Sequence, residues 1–172
     1  AWLQSENYTE DDNTYFNRLI ELTAVEHHFF NADRLHQILL RFNMPKRDGF
    51  WQQFLLYNHG HGSDAPYPLL RLMDWAWQSG ISKFLGQETA RLTAQTLVWV
   101  LSSTVKRLRD KVTKALVNLL QEEPDALIKI LERSKSIDDT YLKERLYAVT
   151  YGCILRTTNK DGISKIAKWV YN

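Results

Sequence analysis

Residues 108–120 read Leu-Arg-Asp-Lys-Val-Thr-Lys-Ala-Leu-Val-Asn-Leu-Leu, and the same pattern returns at 142–155 as Leu-Lys-Glu-Arg-Leu-Tyr-Ala-Val-Thr-Tyr-Gly-Cys-Ile-Leu. Aligning Leu108 with Leu142 superimposes Val112 on Leu146, Ala115 on Val149, Leu119 on Cys153 and Leu120 on Ile154. A unit recurring after about 34 residues lies in the range of helical solenoid repeats, which bury their apolar faces only by stacking on one another. The chain is therefore expected to be all-α, a right-handed alpha-alpha superhelix of the HEAT- or TPR-like solenoid kind. An irregular bundle is the alternative.

The rest of the chain agrees with that class. Apolar residues recur at three- and four-residue spacings, and the alternation of a strand is missing. Tyr15, Leu19, Ile20, Leu22 and Thr23 mark a helix over about 11–25, and Leu35, Ile38, Leu39 and Phe42 a second behind an Asn31 N-cap. Pro45 at a helix start and Asp48 in its first turn open a third, through Phe50, Trp51, Phe54, Leu55 and Tyr57. The segment 58–66, dense in turn formers, ends it. A fourth helix follows over about 68–78 with Gly80 as its C-cap, and a fifth, apolar on more than one face and so expected between neighbours, over about 87–101. Ser102 or Ser103 is expected to cap the next, and Pro124 opens a shorter one. Asp138-Asp139 precedes the long helix that holds Tyr141, Leu142, Leu146, Val149, Tyr151 and Ile154. A last helix starts near Asp161. Trp75 and Trp77, two apart, cannot both face one partner helix, which favours the array over the bundle.

Length allows one helical-repeat domain over 1–172, with possible sub-blocks 1–58 and 67–172. No apolar run approaches a membrane span. The opening residues carry neither an initiator Met nor a secretory signal pattern, so the chain reads as a piece of a longer protein. The lone Cys153 on an apolar face excludes a disulfide framework and points to a reducing, cytoplasmic setting. Twenty-two basic against twenty acidic residues leave a net charge of +2, too little to draw the whole molecule to nucleic acid.

Four segments taken together, Met44-Pro-Lys-Arg-Asp-Gly-Phe-Trp51, Leu70-Arg-Leu-Met-Asp-Trp-Ala-Trp77, Leu101-Ser-Ser on through Leu108-Arg-Asp-Lys-Val-Thr-Lys-Ala-Leu116, and Asp138-Asp-Thr-Tyr-Leu-Lys-Glu-Arg-Leu-Tyr-Ala-Val-Thr-Tyr-Gly152, resemble the C-terminal helical-repeat region of bacterial antiviral STAND NTPases, relatives in architecture of NOD-like immune receptors. Thr150 departs from that pattern, which has a small apolar residue there. The resemblance implies a sensor that binds a phage protein, such as a terminase or portal subunit, and triggers an ATPase and an effector lying outside these residues. It implies no catalysis by this segment and no cofactor. No phosphate-binding loop is present in the chain.

Within the chain, Lys106, Arg107, Lys111 and Lys114 form a basic ridge opposite the stripe Val105, Leu108, Val112 and Leu119, a candidate surface for an acidic protein partner or, alternatively, a phosphate backbone. Arg47 with Asp48 and Arg109 with Asp110 read as charged pairs that tie neighbouring turns, beside Trp51. Asp139, Tyr141 and Arg145 are read as scaffold too, Asp139 as a cap and Arg145 as an ion-pair partner. Tyr147 and Tyr151, one turn apart, are expected in the core although they could stack on a base. His59, His61 and Asp64, with His27 and His28 elsewhere, offer metal-ligating chemistry, but no Glu-x-x-His or third ligand at helical spacing supports it, so the segment reads as a solvated loop and no metal is assigned.

Overall fold

The structure, a computed structural model, describes residues 9–60, 67–78 and 86–171. Among these residues the chain forms helices and no strand: α1 (Glu10–Thr23), α2 (Ala32–Leu40), α3 (Met44–Gly60), α4 (Pro68–Trp77), α5 (Gln87–Val100), α6 (Lys106–Leu120), α7 (Pro124–Ser134), α8 (Thr140–Arg156) and α9 (Lys160–Tyr171). None of these is long and apolar enough to cross a membrane.

Local chemistry sets most of the boundaries. Thr9 and Asp12 close a reciprocal capping box ahead of α1, and the Asn31 side chain accepts from the amides of Asp33 and Arg34. Pro124 occupies the first turn of α7, where its missing N–H costs nothing, and Asp139 accepts from Leu142 N at 2.9 Å to cap α8. Other boundaries differ from expectation. The N-cap of α6 is Val105, with Ser103 Oγ accepting from Val105 N at 3.2 Å just before it. Asp48 lies past the first turn of α3, which continues to Gly60 and takes Asn58 and His59 into the helix. Asn58 is buried, its amide donating to Phe54 O at 2.8 Å and to Asn13 Oδ1 at 3.3 Å of α1, so tertiary bonds override a turn-forming sequence. Gly80 and 61–66 lie outside the described residues.

The helices stack in two layers. In the first, α1, α4, α6 and α8 pack in succession, and in the second α2, α5, α7 and α9 do so. The short connections 121–123 and 157–159 make consecutive helices antiparallel, as in an α-helical solenoid. The repeat register is visible in burial: Leu108, Val112 and Ala115 of α6 and Leu142, Leu146 and Val149 of α8 all face the core. Leu69, Met73 and Ala76 of α4 and Phe16, Ile20 and Thr23 of α1 repeat the same spacing and are also buried, so every first-layer helix carries the unit. Deep in the array, α5 packs against α1, α2, α4, α6, α7 and α8, and each residue from Ala90 to Val100 is buried. One core runs continuously from Phe16 to Ile166.

α3 departs from the alternation. Its N-terminus is held by Asp138 in the α7–α8 turn, which accepts from Met44 N at 2.8 Å and lies 2.7 Å from the Arg47 guanidinium. One turn on, Trp51 Nε1 donates to Trp99 O at 2.9 Å, while Gln52 donates to Ser102 O and accepts from Thr104 N in the α5–α6 turn. Its inner face then meets Phe16 of α1 through Phe50, Trp51 and Phe54. α3 is thus a strut laid across successive interlayer turns, and it supplies donors to carbonyls at and just after the end of α5.

Candidate recognition surface

Most neighbouring helices within each layer are joined by ion pairs of one polarity; at α5–α7 the link is instead the hydrogen bond from Arg133 to Gln95. In the first layer Arg71 of α4 pairs with Glu21 of α1 at 3.1 Å, Lys111 of α6 with Asp74 of α4, and Arg145 of α8 with Asp110 of α6 at 3.4 Å. In the second, Arg91 of α5 meets Asp33 of α2 at 2.8 Å and Lys165 of α9 meets Asp125 of α7 at 2.9 Å. The cation always comes from the later helix and the carboxylate from the earlier. Apart from that of the buried Arg91, these pairs are partly or well exposed and contribute only about 0–1 kcal/mol each, so their effect is on register more than on stability.

The basic ridge is divided by this ladder. Lys111 is bonded to Asp74 and the Lys114 ammonium sits 5.4 Å from the centre of the Trp77 ring, so both are tied to α4. Lys106 and Arg107 remain exposed at the start of α6, without an ion pair among the described residues.

The scaffold candidates are spread over several contacts. Arg47 is 2 % exposed, its guanidinium 5.0 Å from the Trp99 ring, and it reaches Asp138 where the adjacent Asp48 was expected. Burial pushes the Asp48 carboxyl up, and the nearby Asp139 adds to this against the charge of Arg47. Asp138 shows the opposite outcome, because hydrogen bonds from Arg47 and Met44 overcome its burial and lower its pKa. Arg109 donates to Ser103 O at 2.6 Å and lies 5.6 Å from the Tyr141 ring, while Arg145 bridges Asp110 and, at 3.0 Å, Thr113 Oγ1.

Tyr147 and Tyr151 of α8 contradict the expectation of core placement. Tyr147 is 57 % and Tyr151 63 % exposed, Tyr141 also faces outward, and Leu155 at 65 % extends the stripe by another turn. The 34-residue register explains why: Tyr147 and Tyr151 align with Thr113 and Val117, the α6 residues that meet Arg145 and Gly152 of α8. They occupy the side on which each earlier first-layer helix receives its neighbour.

A buried polar network on the second layer has no forerunner in the sequence reading. Arg91, 6 % exposed, forms a two-pronged pair with Asp33 and is gripped by Glu88. Arg133 joins Asp33 at 2.8 Å and donates to Gln95 Oε1 at 2.9 Å. Next in the chain of contacts, His36 Nδ1 accepts from Trp99 Nε1 at 3.1 Å and lies 3.1 Å from Gln95 Nε2. Because indole only donates, Nδ1 is the unprotonated nitrogen of a neutral ring. Burial, reinforced by Arg133, lowers the His36 pKa to about 4. Asp33 is lowered despite burial, through Arg91 and Arg133. Only Glu88 and Arg91 are local, three residues apart on α5; Asp33, His36 and Arg133 come from other helices, so spacing along the chain does not mark the network.

His59 is exposed at the end of α3, and His61 and Asp64 lie outside the described residues. Among the described residues, no group of three His, Cys, Asp or Glu side chains is placed to hold a metal ion.

Layered helices and a repeated core unit define the class of this molecule as an α-helical repeat array. No protein-family model, curated protein or solved structure matches the chain.

Proposed function

We propose that this array is a protein-recognition module. The observation that carries the reading is the stripe Tyr147, Tyr151 and Leu155, three large side chains displayed on one face of a helix whose opposite side is anchored in the core. Tyrosine on a rigid support contributes large contact area at small entropic cost and is enriched where proteins bind one another. The resemblance to the sensor region of antiviral STAND NTPases narrows the proposal: the bound protein is a phage assembly component, and its capture is relayed to an ATPase elsewhere in the full protein. The exposed Lys106 and Arg107 add an acid-seeking patch to the same scaffold.

Affinity capture with the tagged chain from phage-infected and uninfected bacterial lysates tests this. Specific enrichment of one virion-assembly protein, lost on Tyr151→Glu and weakened by Lys106→Glu with Arg107→Glu, is the expected result. Recovery of nucleic acid alone, in a salt-sensitive manner, would replace the proposal with a nucleic-acid-binding array.

A further inference from the structure

α7 and α8 diverge around a cleft of about 130 Å³, lined by Leu131, Ser134 and Lys135 at the end of α7 and by Lys143, Leu146 and Tyr147 of α8. Leu131 and Leu146 are buried and form its floor, whereas Lys135, Lys143 and Tyr147 reach solvent and form its rim. The 34-residue register separates ordinary packing from what is particular to this place. Leu131 and Leu146 align with Leu97 and Val112, so the apolar floor belongs to the repeat. Ser134 and Lys135 align with Val100 and Leu101, both fully buried, and Lys135 follows α7 as Leu101 follows α5. A hydroxyl and an ammonium thus stand where the preceding repeat has two aliphatic side chains.

The charge of the rim is one-sided. Among the described residues no carboxylate lines the cleft. The Lys135 ammonium is already engaged, 3.1 Å from Glu132 Oε2 and 4.8 Å from the centre of the Trp169 ring. Trp169 Nε1 also donates to Glu132, so that carboxylate is satisfied from two sides. Lys143 makes no ion pair among the described residues and brings one unpaired positive charge to the rim. Ser134 Oγ donates to Ile130 O at 2.8 Å and so offers the cleft only an acceptor. We propose that the cleft binds a small organic anion, a monocarboxylate whose compact aryl body lies on Leu131 and Leu146 and whose carboxylate meets Lys143. A dry cavity of about 150 Å³ holds one benzene ring, so the cleft takes one ring and no fused second. One unpaired ammonium and no arginine fork suit a single carboxylate better than a phosphate. The site is separate from Tyr151 and from Lys106 with Arg107, so it goes beyond protein recognition and stands without it.

Titration of the isotope-labelled full chain with sodium benzoate at fixed ionic strength, followed by amide correlation NMR spectra, tests this. Saturable shifts centred on the amides of the lining residues are expected, with a dissociation constant below about 10 mM. Benzamide keeps the ring and loses the charge, and acetate keeps the charge and loses the ring, so each should bind at least about fivefold more weakly. Lys143→Met should weaken benzoate by a similar factor of about five. Ser134→Val with Lys135→Leu restores the residues of the preceding repeat and should abolish saturation. The spectra report whether each variant is folded, and Lys143→Met, at the rim, keeps the test independent of the buried Ser134. Absence of saturation, equal binding of benzamide or acetate, or an unchanged constant in Lys143→Met overturns the proposal. Shifts scattered over the other lysines would overturn it too, as the mark of an adventitious ion only.

Discussion

At the scale of single residues, the structure turns on groups whose surroundings dictate one chemical form. His36 is required neutral, because Nδ1 accepts from Trp99 and because burial, with Arg133 and Arg91, opposes a second proton that Asp33 only partly favours. Its pKa falls from 6.5 in the unfolded chain to about 4, so the unfolded state binds the proton more readily between those limits. Stability should therefore be constant above about pH 6.5 and decline on acidification toward pH 4, by about 3 kcal/mol over the full span. Urea midpoints at pH 7, 5.5 and 4.5 measure this slope, and His36→Gln should flatten it. Gly152 is constrained by contact instead of charge. Gly152→Ala should cost about 1–3 kcal/mol by forcing α8 off Val117, with part of the loss recovered in Gly152→Ala/Val117→Ala. Burial pushes the Cys153 thiol up to about 12, so in the folded chain it should resist thiol reagents that modify it freely in denaturant. Rapid native-state labelling would contradict that expectation.

At the scale of helices, α3 carries the clearest consequence. It is fastened at Asp138, at the α5–α6 turn and along α1, and its fastenings are mostly single side chains. Asp138→Ala removes both the acceptor for Met44 N and the partner of the buried Arg47. Discounted for the half-exposed carboxylate, this should destabilise the chain by about 2 kcal/mol, read from chemical denaturation. Trp51→Phe keeps most of the ring and deletes the donor to Trp99 O, for a smaller loss of about 1 kcal/mol because Ser102 Oγ also donates to that carbonyl. Helix periodicity placed Trp51 and Phe54 on the third helix. It did not predict what they would meet, since Trp99 is far away in sequence and the turn it caps forms only when the layers assemble.

On the scale of the whole molecule, simple stacking would allow unfolding to begin at either end. The strut opposes this, because melting α1 or the α7–α8 turn also releases α3 from the others. A single denaturation transition is expected, with the slowest amide exchange in α5 and the fastest in α9, which is anchored chiefly to α7 by Lys165–Asp125 and the Trp169–Glu132 bond. Exchange that is as slow in α9 as in α5 would show that this edge is more firmly held than its contacts indicate.

The amino-acid sequence alone determined the helical class, the 34-residue unit on α6 and α8, the buried character of α5 and the caps at Asn31, Pro124 and Asp139. Each of these follows from side-chain spacing or local backbone bonding within one helix. The tertiary structure decided which polar and aromatic groups remained outside. Tyr151 has the spacing of a core residue, yet its side of α8 receives no neighbour within the described chain. Lys111 and Lys114 have the spacing of a solvent-facing ridge, yet α4 lies alongside and takes both. Periodicity defines the faces of a helix, whereas the choice between a covered and an open face depends on helices distant in sequence, whose positions emerge only on packing.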